Sequence, residues 1–309
     1  MKALQYSEYG PSSVLHVVDV PEPQPGAGRI RVAVRAVGVN PFDWKVRSGA
    51  FGDTTPSRLP VIPHSDVAGV VDAVGDGVQG VAVGDHVFGV AVGGGAAEFA
   101  VLKEWAQMPV DMSFEEAAGL PNVVETAGRA LGLLGLEKGQ TVLVNGAAGG
   151  VGIAAVQLAV SRGATVIGTA SERNHDFVRR LGATPVTYGP GLPERVRALA
   201  ETGEDGAGRG GVDLALDTAG RGAVEELVTL TPTPADVVSI ADFEAPKFGA
   251  RVTDGSEGRA YETLNEAAIL YSEGQFTMPV ERTFPLAEAA AAHDLSESGH
   301  VRGKVVITL

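Results

Sequence analysis

The sequence predicts an α/β protein in which a doubly wound parallel sheet is joined to a second, β-rich part. Three observations predict it. From about Ser113 onward, apolar strands alternate with helical stretches, the grammar of βαβ units around a parallel sheet. The first 110 residues are instead short β segments punctuated by Gly and Pro. Finally, the cluster Asn145-Gly146-Ala147-Ala148-Gly149-Gly150-Val151-Gly152 stands between an apolar strand and an apolar helix. A chain of 309 residues fits two domains, at roughly 150 residues each.

In chain order, Arg31 to Val37, with its alternating valines, and Val67 to Val74 read as strands of the β-rich part. Phe114, Glu115, Glu116, Ala117 and Ala118 open the first helical stretch. Thr141 to Val144 is then a short apolar strand, Gly150 to Ser161 a helix, Thr165 to Thr169 a β-branched strand and Asn174 to Leu181 a helix. Val186 to Tyr188, Val212 to Leu216 and Val237 to Ile240 complete the predicted sheet, with helices on both faces. Gly203, Gly206, Gly208, Gly210 and Gly211 read as one flexible loop. The strand Lys304 to Thr308 comes too late for this run and is assigned back to the first domain. The predicted boundaries are therefore 1–115, 116–255 and 256–309.

Composition narrows the function classes. With 44% hydrophobic and 20% charged residues the chain reads as globular, and 24 basic against 38 acidic side chains give a net charge of −14. Such a field repels phosphate backbones and anionic lipid, which argues against nucleic acid or a membrane as partner. There is no cysteine, so disulfides and thiolate metal sites are impossible. Met1 to Leu4 runs straight into Gln5, Tyr6, Ser7 and Glu8 without an apolar stretch, so the cytoplasm is the expected location. Residues 139–161 are uncharged and long enough to span a bilayer, but Gln140, Asn145, Gln157 and the glycines mark a buried strand, turn and helix.

The glycine cluster has the context of a dinucleotide-binding turn. Small residues at Gly146, Ala147, Gly149, Gly150 and Val151 let backbone approach a pyrophosphate, and the helix beginning near Gly150 offers unpaired N–H groups and a positive dipole end. The competing reading is a tight turn without a ligand. An NAD-preferring site places an acidic residue about 20 residues further on, at the end of the second strand. Here Thr169-Ala170-Ser171 is followed by Glu172-Arg173-Asn174-His175. Ser171, Arg173 and His175 are thus expected to receive the 2′-phosphate of NADP. Two alternatives stay open: Ser171 caps the next helix while Arg173 is a solvated charge, or Glu172 reaches a ribose and favours NAD.

Several motifs in order carry a family resemblance. They are Val37-Gly38-Val39-Asn40-Pro41-Phe42-Asp43-Trp44-Lys45-Val46-Arg47-Ser48-Gly49, Ile62-Pro63-His64-Ser65-Asp66-Val67-Ala68-Gly69 and Val83-Gly84-Asp85-His86-Val87-Phe88-Gly89. Ala117-Ala118-Gly119-Leu120-Pro121, the Gly146 to Gly152 turn and Gly303-Lys304-Val305-Val306 follow. The chain resembles the medium-chain dehydrogenase/reductase superfamily, in its zinc-free quinone oxidoreductase and alkenal/enone reductase branch. The resemblance implies a GroES-like β-rich catalytic domain built from both chain ends, a Rossmann domain between them and an active site in the cleft. Homodimers or homotetramers are common in the family, and the matching edge strand here is around Arg251 to Asp254.

Zinc-dependent members bind the catalytic metal through Cys, His and Cys. The first Cys position is Asn40 here, the His position is Ser65, and no cysteine exists, so no metal is expected. His64 and His86 are read as structural hydrogen-bonding residues. By resemblance, Asn40 stands near the nicotinamide and substrate, Thr126 near the nicotinamide-side phosphate and Tyr188 against the 2′-phosphate; Ile240 joins the cofactor set. His175 falls where many relatives have a lysine. The pattern Asn-Pro-x-Asp-x-Lys at Asn40, Asp43 and Lys45 is similar to alkenal and enone reductases.

The expected reaction is hydride transfer from NADPH to a quinone or to the activated C=C bond of an enone or enal. Lys45 is the candidate to stabilise charge on the carbonyl oxygen, Asp43 to orient that ammonium and Asn40 to hold a carboxamide or ribose. The proton comes from Lys45 or water. Equally open is a surface Lys45 paired locally with Asp43. Trp44, Phe51 and Phe243 are candidates for the substrate pocket, or for packing between subunits. Two rival functions are an enoyl-thioester reductase, for which Arg47, Arg58 and Arg251 look too scattered to form a basic entrance, and a non-catalytic NADPH-binding protein.

Overall fold

The computed structural model of the chain describes residues 1–52, 58–202, 211–299 and 301–309, with the side chains of 200–202 outside the description. The first strands are β1 (Lys2–Gln5), β2 (His16–Asp19) and β3 (Ile30–Val39), followed by helix α1 (Pro41–Ser48). Strands β4 (Asp66–Val74), β5 (His86–Val92) and β6 (Phe99–Gln107) come next, then α2 (Phe114–Ala118) and α3 (Pro121–Leu134). The alternating run is β7 (Thr141–Asn145), α4 (Gly150–Ser161), β8 (Thr165–Thr169), α5 (His175–Arg180), β9 (Thr184–Val186), α6 (Leu192–Thr202), β10 (Leu214–Asp217), α7 (Val224–Leu227), β11 (Val237–Ser239) and β12 (Arg251–Val252). The chain ends with α8 (Thr263–Ser272), β13 (Val280–Pro285), α9 (Ala289–Glu297) and β14 (Lys304–Thr308).

Two compact units result. One comprises Met1–Asn122, Leu264–Ser272 and Thr277–Leu309; the other comprises Val123–Thr263 and Glu273–Phe276. Of the four crossings, the first two, after Asn122 and Thr263, fall a few residues beyond the positions read from sequence. At the first of them α2 packs on β3 and β4, and the Asn122 N–H donates to Asp66, tying this segment to the first unit.

The sheet of the first unit runs β13-β14-β3-β4-β5-β6, with β3 pairing β6 as well, so that β3 to β6 close on themselves. Alternation explains the burial. Ile30, Val32 and Val34 point to a core they share with Leu4, Val67, Leu102, Val305 and Ile307, and each fully buried aliphatic side chain contributes roughly 1.5–3 kcal/mol. β14 reaches this core by pairing antiparallel with β3, Val305 opposite Val39.

The second unit is a six-stranded parallel sheet in the order β12-β11-β10-β7-β8-β9. Its centre is apolar because both faces are covered: Leu143, Ile167 and Ala215 are wholly buried. β7 and β8 run one after the other in register, Val144 beside Gly168, and the order switches to β10 on the other side of β7. In α4 every residue from Gly152 to Ala159 is buried, which accounts for its lack of charge.

Three predicted elements shift. The strand placed at Val186 to Tyr188 lies at Thr184–Val186, since β8 ends at Thr169, opposite Val186, and offers no partner further along. The strands at Val212 and Val237 move or shorten to Leu214–Asp217 and Val237–Ser239. Of the glycine-rich loop, residues 203–210 lie outside the described residues. No described helix is long and apolar enough to cross a membrane.

Candidate functional site

In the second unit the predicted turn closes at the carboxyl end of β7, the switch point where an α/β sheet binds ligands. Gly146 sits at φ +86°, a left-handed conformation open to glycine, and its N–H donates to Thr169 Oγ1 at 2.9 Å. Ala147 is buried, and its N–H reaches the Thr169 carbonyl at 2.9 Å. Gly149 caps α4 in extended conformation. Gly152 is required by space: a Cβ there would lie 2.1 Å from the Gly146 carbonyl oxygen. The first-turn N–H groups of Gly150 and Val151 have no intrahelical acceptor and belong to a helix of 12 residues, so they and the dipole fit the pyrophosphate of a dinucleotide.

A buried polar relay, invisible to motif reading, stiffens this edge. Thr169 Oγ1 donates to Asn145 Oδ1 at 2.6 Å, and Asn145 Nδ2 donates to Asp217 Oδ1 at 2.8 Å. Ser239 Oγ donates to Asp217 Oδ2 at 2.7 Å, while the N–H groups of Ala219 and Gly220 donate to Asp217 Oδ1 at 3.1 and 2.9 Å. Four adjacent strand ends, β8, β7, β10 and β11, are thereby joined side chain to side chain. Ile240 follows directly, its N–H bonded to the Asp217 carbonyl at 3.0 Å. Thr126 is buried on α3, with its hydroxyl 3.4 Å from Glu125 Oε2.

Past β8, Ser171 stands at the cap position of a 3-10 turn, Glu172–Asn174, yet its side chain makes no capping bond and accepts only from Asn174 Nδ2 at 3.3 Å. The capping alternative therefore loses its bond. Arg173 is exposed and pairs with no described carboxylate, and Glu172 is exposed beside it. His175 turns its ring back, Nε2 lying 3.3 Å from the Ala170 carbonyl. Tyr188 lies two residues beyond β9, 53% exposed. Ser171 and Tyr188 each follow by two residues a paired position, Thr169 opposite Val186, at the same end of the sheet. Phe243 is exposed on a loop of this unit.

In the first unit, α1 begins at the end of β3 and carries Asp43, Trp44 and Lys45 just after Asn40. Here the structure corrects one role. Asp43 does not orient Lys45: its carboxylate is buried, accepts the Asn40 main-chain N–H at 2.7 Å and meets His64 Nδ1 at 3.0 Å. A helix residue at N3 bends back to the cap, whereas Lys45 projects elsewhere. The Lys45 ammonium lies 5.6 Å from the centre of the Trp44 ring and pairs with no described carboxylate, which also removes the local Asp43 pair as its alternative role. Phe51 stacks at a tilt on Phe42, with ring centres 5.5 Å apart.

Burial would raise the Asp43 carboxyl, but His64, its hydrogen bond and the Asn40 N–H outweigh it and hold the group below the usual carboxylate range. His64 in turn meets His293, Nε2 to Nε2, at 3.2 Å, a partner that no sequence signal marked. His293 is wholly buried, its Nδ1 has no hydrogen-bond partner among the described residues, and burial with His64 nearby pushes its pKa down to about 3. His64 thus has the hydrogen-bonding role read for it. His86 does not: its ring rests on Phe114, 5.0 Å between centres, and makes no hydrogen bond to a described residue.

Asp66 and Lys304 are both buried, and both contact the Asn40 side chain: Nδ2 donates to Asp66 Oδ2 at 2.8 Å, and Oδ1 accepts from the Lys304 ammonium. Burial pushes the Asp66 carboxyl up to about 6 and the Lys304 ammonium down. A catalytic zinc does not fit these residues. The positions of its first two ligands hold Asn40, whose amide is already engaged at both ends, and Ser65; both ring nitrogens of the neighbouring His64 are taken. Among the described residues no three His, Asp or Glu side chains gather as a metal would need.

Residues 26–112 match the family described as "Alcohol dehydrogenase GroES-like domain", and residues 181–307 match "Zinc-binding dehydrogenase". The chain is 32% identical to a chloroplast envelope quinone oxidoreductase homolog of Arabidopsis thaliana, covering 99% of this chain and 98% of that protein. It is also 32% identical to an NADPH-dependent alkenal/one oxidoreductase of the same plant, covering 99% and 79%. Among solved structures, the quinone oxidoreductase from Coxiella burnetii superposes with a TM-score of 0.83 at 32% identity, covering 100% of this chain and 99% of the other.

Proposed function

The chain belongs to the medium-chain dehydrogenase/reductase superfamily, in its quinone oxidoreductase and alkenal/one reductase branch, and we propose that it reduces a quinone or the activated C=C bond of an enone or enal with NADPH. The observation that carries this reading is the turn at Gly146 to Gly152, shaped by space and left-handed backbone to bring free N–H groups to a pyrophosphate. A reduced nicotinamide bound there supplies the hydride.

The chain's own residues supply the rest. As hydride arrives, negative charge develops on the substrate oxygen, and an N–H of Asn40 with the Lys45 ammonium are the donors assigned to it. Lys45 carries its charge unpaired by any described carboxylate, so it is available to that oxygen and to proton delivery. Trp44, Phe51 and Phe243 are the aromatic groups assigned to a flat conjugated substrate. The reaction is zinc-free, a reading supported by the ligand chemistry at Asn40 and Ser65. Preference for NADPH over NADH is assigned to Ser171, Arg173, His175 and Tyr188, where Arg173 is exposed and forms no ion pair with a described carboxylate.

Assembly as a homodimer is supported by β12, which pairs β11 on one side and forms the edge of the parallel sheet on the other. An enoyl-thioester reductase is less well supported: Arg47, one of three arginines available for a basic entrance, is 1% exposed and tied to Glu297 at 3.1 Å. The test is NADPH oxidation with quinones, enones, enals and crotonyl thioesters. Turnover with the first three classes supports the reading, preference for the thioester replaces it, and tight NADPH binding with no turnover of any acceptor overturns it.

A further inference from the structure

Asn40 is held by two buried charges that lie far from it in sequence. Lys304 only donates hydrogen bonds and an ionised Asp66 only accepts them, so an amide between them has one orientation: Oδ1 toward the ammonium and Nδ2 toward the carboxylate. Lys304 and Asp66 form a long ion pair, Nζ to Oδ2 3.8 Å, and the amide bridges them with its own shorter hydrogen bonds. Asp66 is itself fixed, because its Oδ1 accepts the Asn122 N–H at 3.1 Å. With Asp66 at 0% exposure and Lys304 at 3%, water does not substitute for either partner. One N–H of Asn40 Nδ2 is left over after these bonds.

We propose that Asp66 and Lys304 are positioning residues of the reductase, holding the Asn40 amide so that its remaining N–H faces the oxygen that gains charge on hydride transfer. This rests on the function proposed above. A freely rotating amide would present its carbonyl oxygen to that charge as readily as its N–H, and the buried pair removes the wrong orientation before substrate arrives. A buried ion pair kept only for stability would have no need of an interposed amide.

The test compares kcat and KM, with a reactive enone and with NADPH, for wild type, Asp66→Asn, Lys304→Met, Lys304→Arg and Asn40→Ala, and for the first two combined with Asn40→Ala. Asp66→Asn and Lys304→Met should each lower kcat roughly tenfold while the KM for NADPH stays within about twofold, and Lys304→Arg should recover most of the loss. On the Asn40→Ala background the same substitutions should cost less than about twofold, because the residue they act through is gone. Losses that persist in full on that background, or folded variants with unchanged kcat, overturn the proposal. Where Lys304→Met does not fold, Lys304→Gln takes its place. Absence of turnover by the wild type with every acceptor would instead overturn the function and leave the Asn40 contacts as structure only.

Discussion

His293 makes the acid stability of the first unit a sharp test of the buried cluster. The ring is wholly buried, shares its Nε2 contact with His64 and faces Asp43 and the Arg47 guanidinium, whose Nε and Nη1 also lack partners among the described residues. A neutral arrangement satisfies the pair: His64 Nδ1–H donates to Asp43, and His293 Nε2–H donates to His64 Nε2. A second proton on His293 would sit at Nδ1, where nothing accepts it. Burial therefore lowers the folded pKa to about 3 from 6.5, and the unfolded chain binds the extra proton first. The associated stability is complete above the unfolded value and is lost as pH falls from 6.5 toward about 3. Taking about 1.4 kcal/mol per pH unit, lowering the pH from about 7 to about 4.5 costs roughly 2 to 3 kcal/mol.

His293→Gln keeps a donor for His64 but cannot take up that proton, so its stability should decline less over the same interval, by that amount. Asp66 works in the opposite sense: its pKa is raised to about 6, so its own effect favours the fold as pH falls. That term is common to both proteins and cancels in the comparison. Both tryptophans, Trp44 and Trp105, lie in the first unit, so intrinsic fluorescence during urea denaturation reports on the part that contains His293. Parallel declines of wild type and His293→Gln between the two pH values would refute the reasoning.

Three further outcomes are expected. Gly152→Ala should abolish NADPH binding, followed by quenching of its fluorescence, and lower the melting temperature, since the new Cβ meets backbone on two sides, 2.1 Å from Gly146 O and 2.8 Å from Ala147 Cα; a normal Kd would show that the turn does not hold the pyrophosphate. Arg173→Ala should weaken NADPH roughly tenfold and leave NADH unchanged, as measured by titration of both; equal losses would mean that Arg173 is not at the 2′-phosphate. Lys45→Ala, with folding verified by circular dichroism, should lower kcat/KM on enones at least about tenfold, and full activity would remove Lys45 from the chemistry.

The nucleotide half was legible because its signal is local. A glycine turn between strand and helix is a consequence of backbone conformation and close approach, and the residues that supply both, Gly146 and Gly152, stand within one short stretch. Ser171, Arg173 and His175 were proposed from their place after the end of the next strand and Tyr188 from the family resemblance; the strand before Tyr188 ends earlier than its apolar pattern indicated, because sheet pairing stops with its neighbour. Asp43 was found for the wrong reason. Its spacing from Lys45 suggested a pair, while the cap geometry of α1 turns it toward Asn40 and His64.

The sequence by itself determined the fold class, the glycine turn between strand and helix, the absence of thiolate ligands and the motif that places Asn40 and Lys45 on one short helix and its cap. Only the tertiary structure decided which buried charges meet Asn40, that His64 continues to His293, and that Asn145, Thr169, Asp217 and Ser239 join four strand ends. The reason is distance along the chain. His64 and His293 are 229 residues apart, and Asn40 and Lys304 are 264 apart. Hydrophobic periodicity shows that β3 and β14 are buried strands, but the pairing that places the end of one beside the start of the other is set by the closed sheet and by burial, which makes each isolated charge or amide costly until it finds its partner.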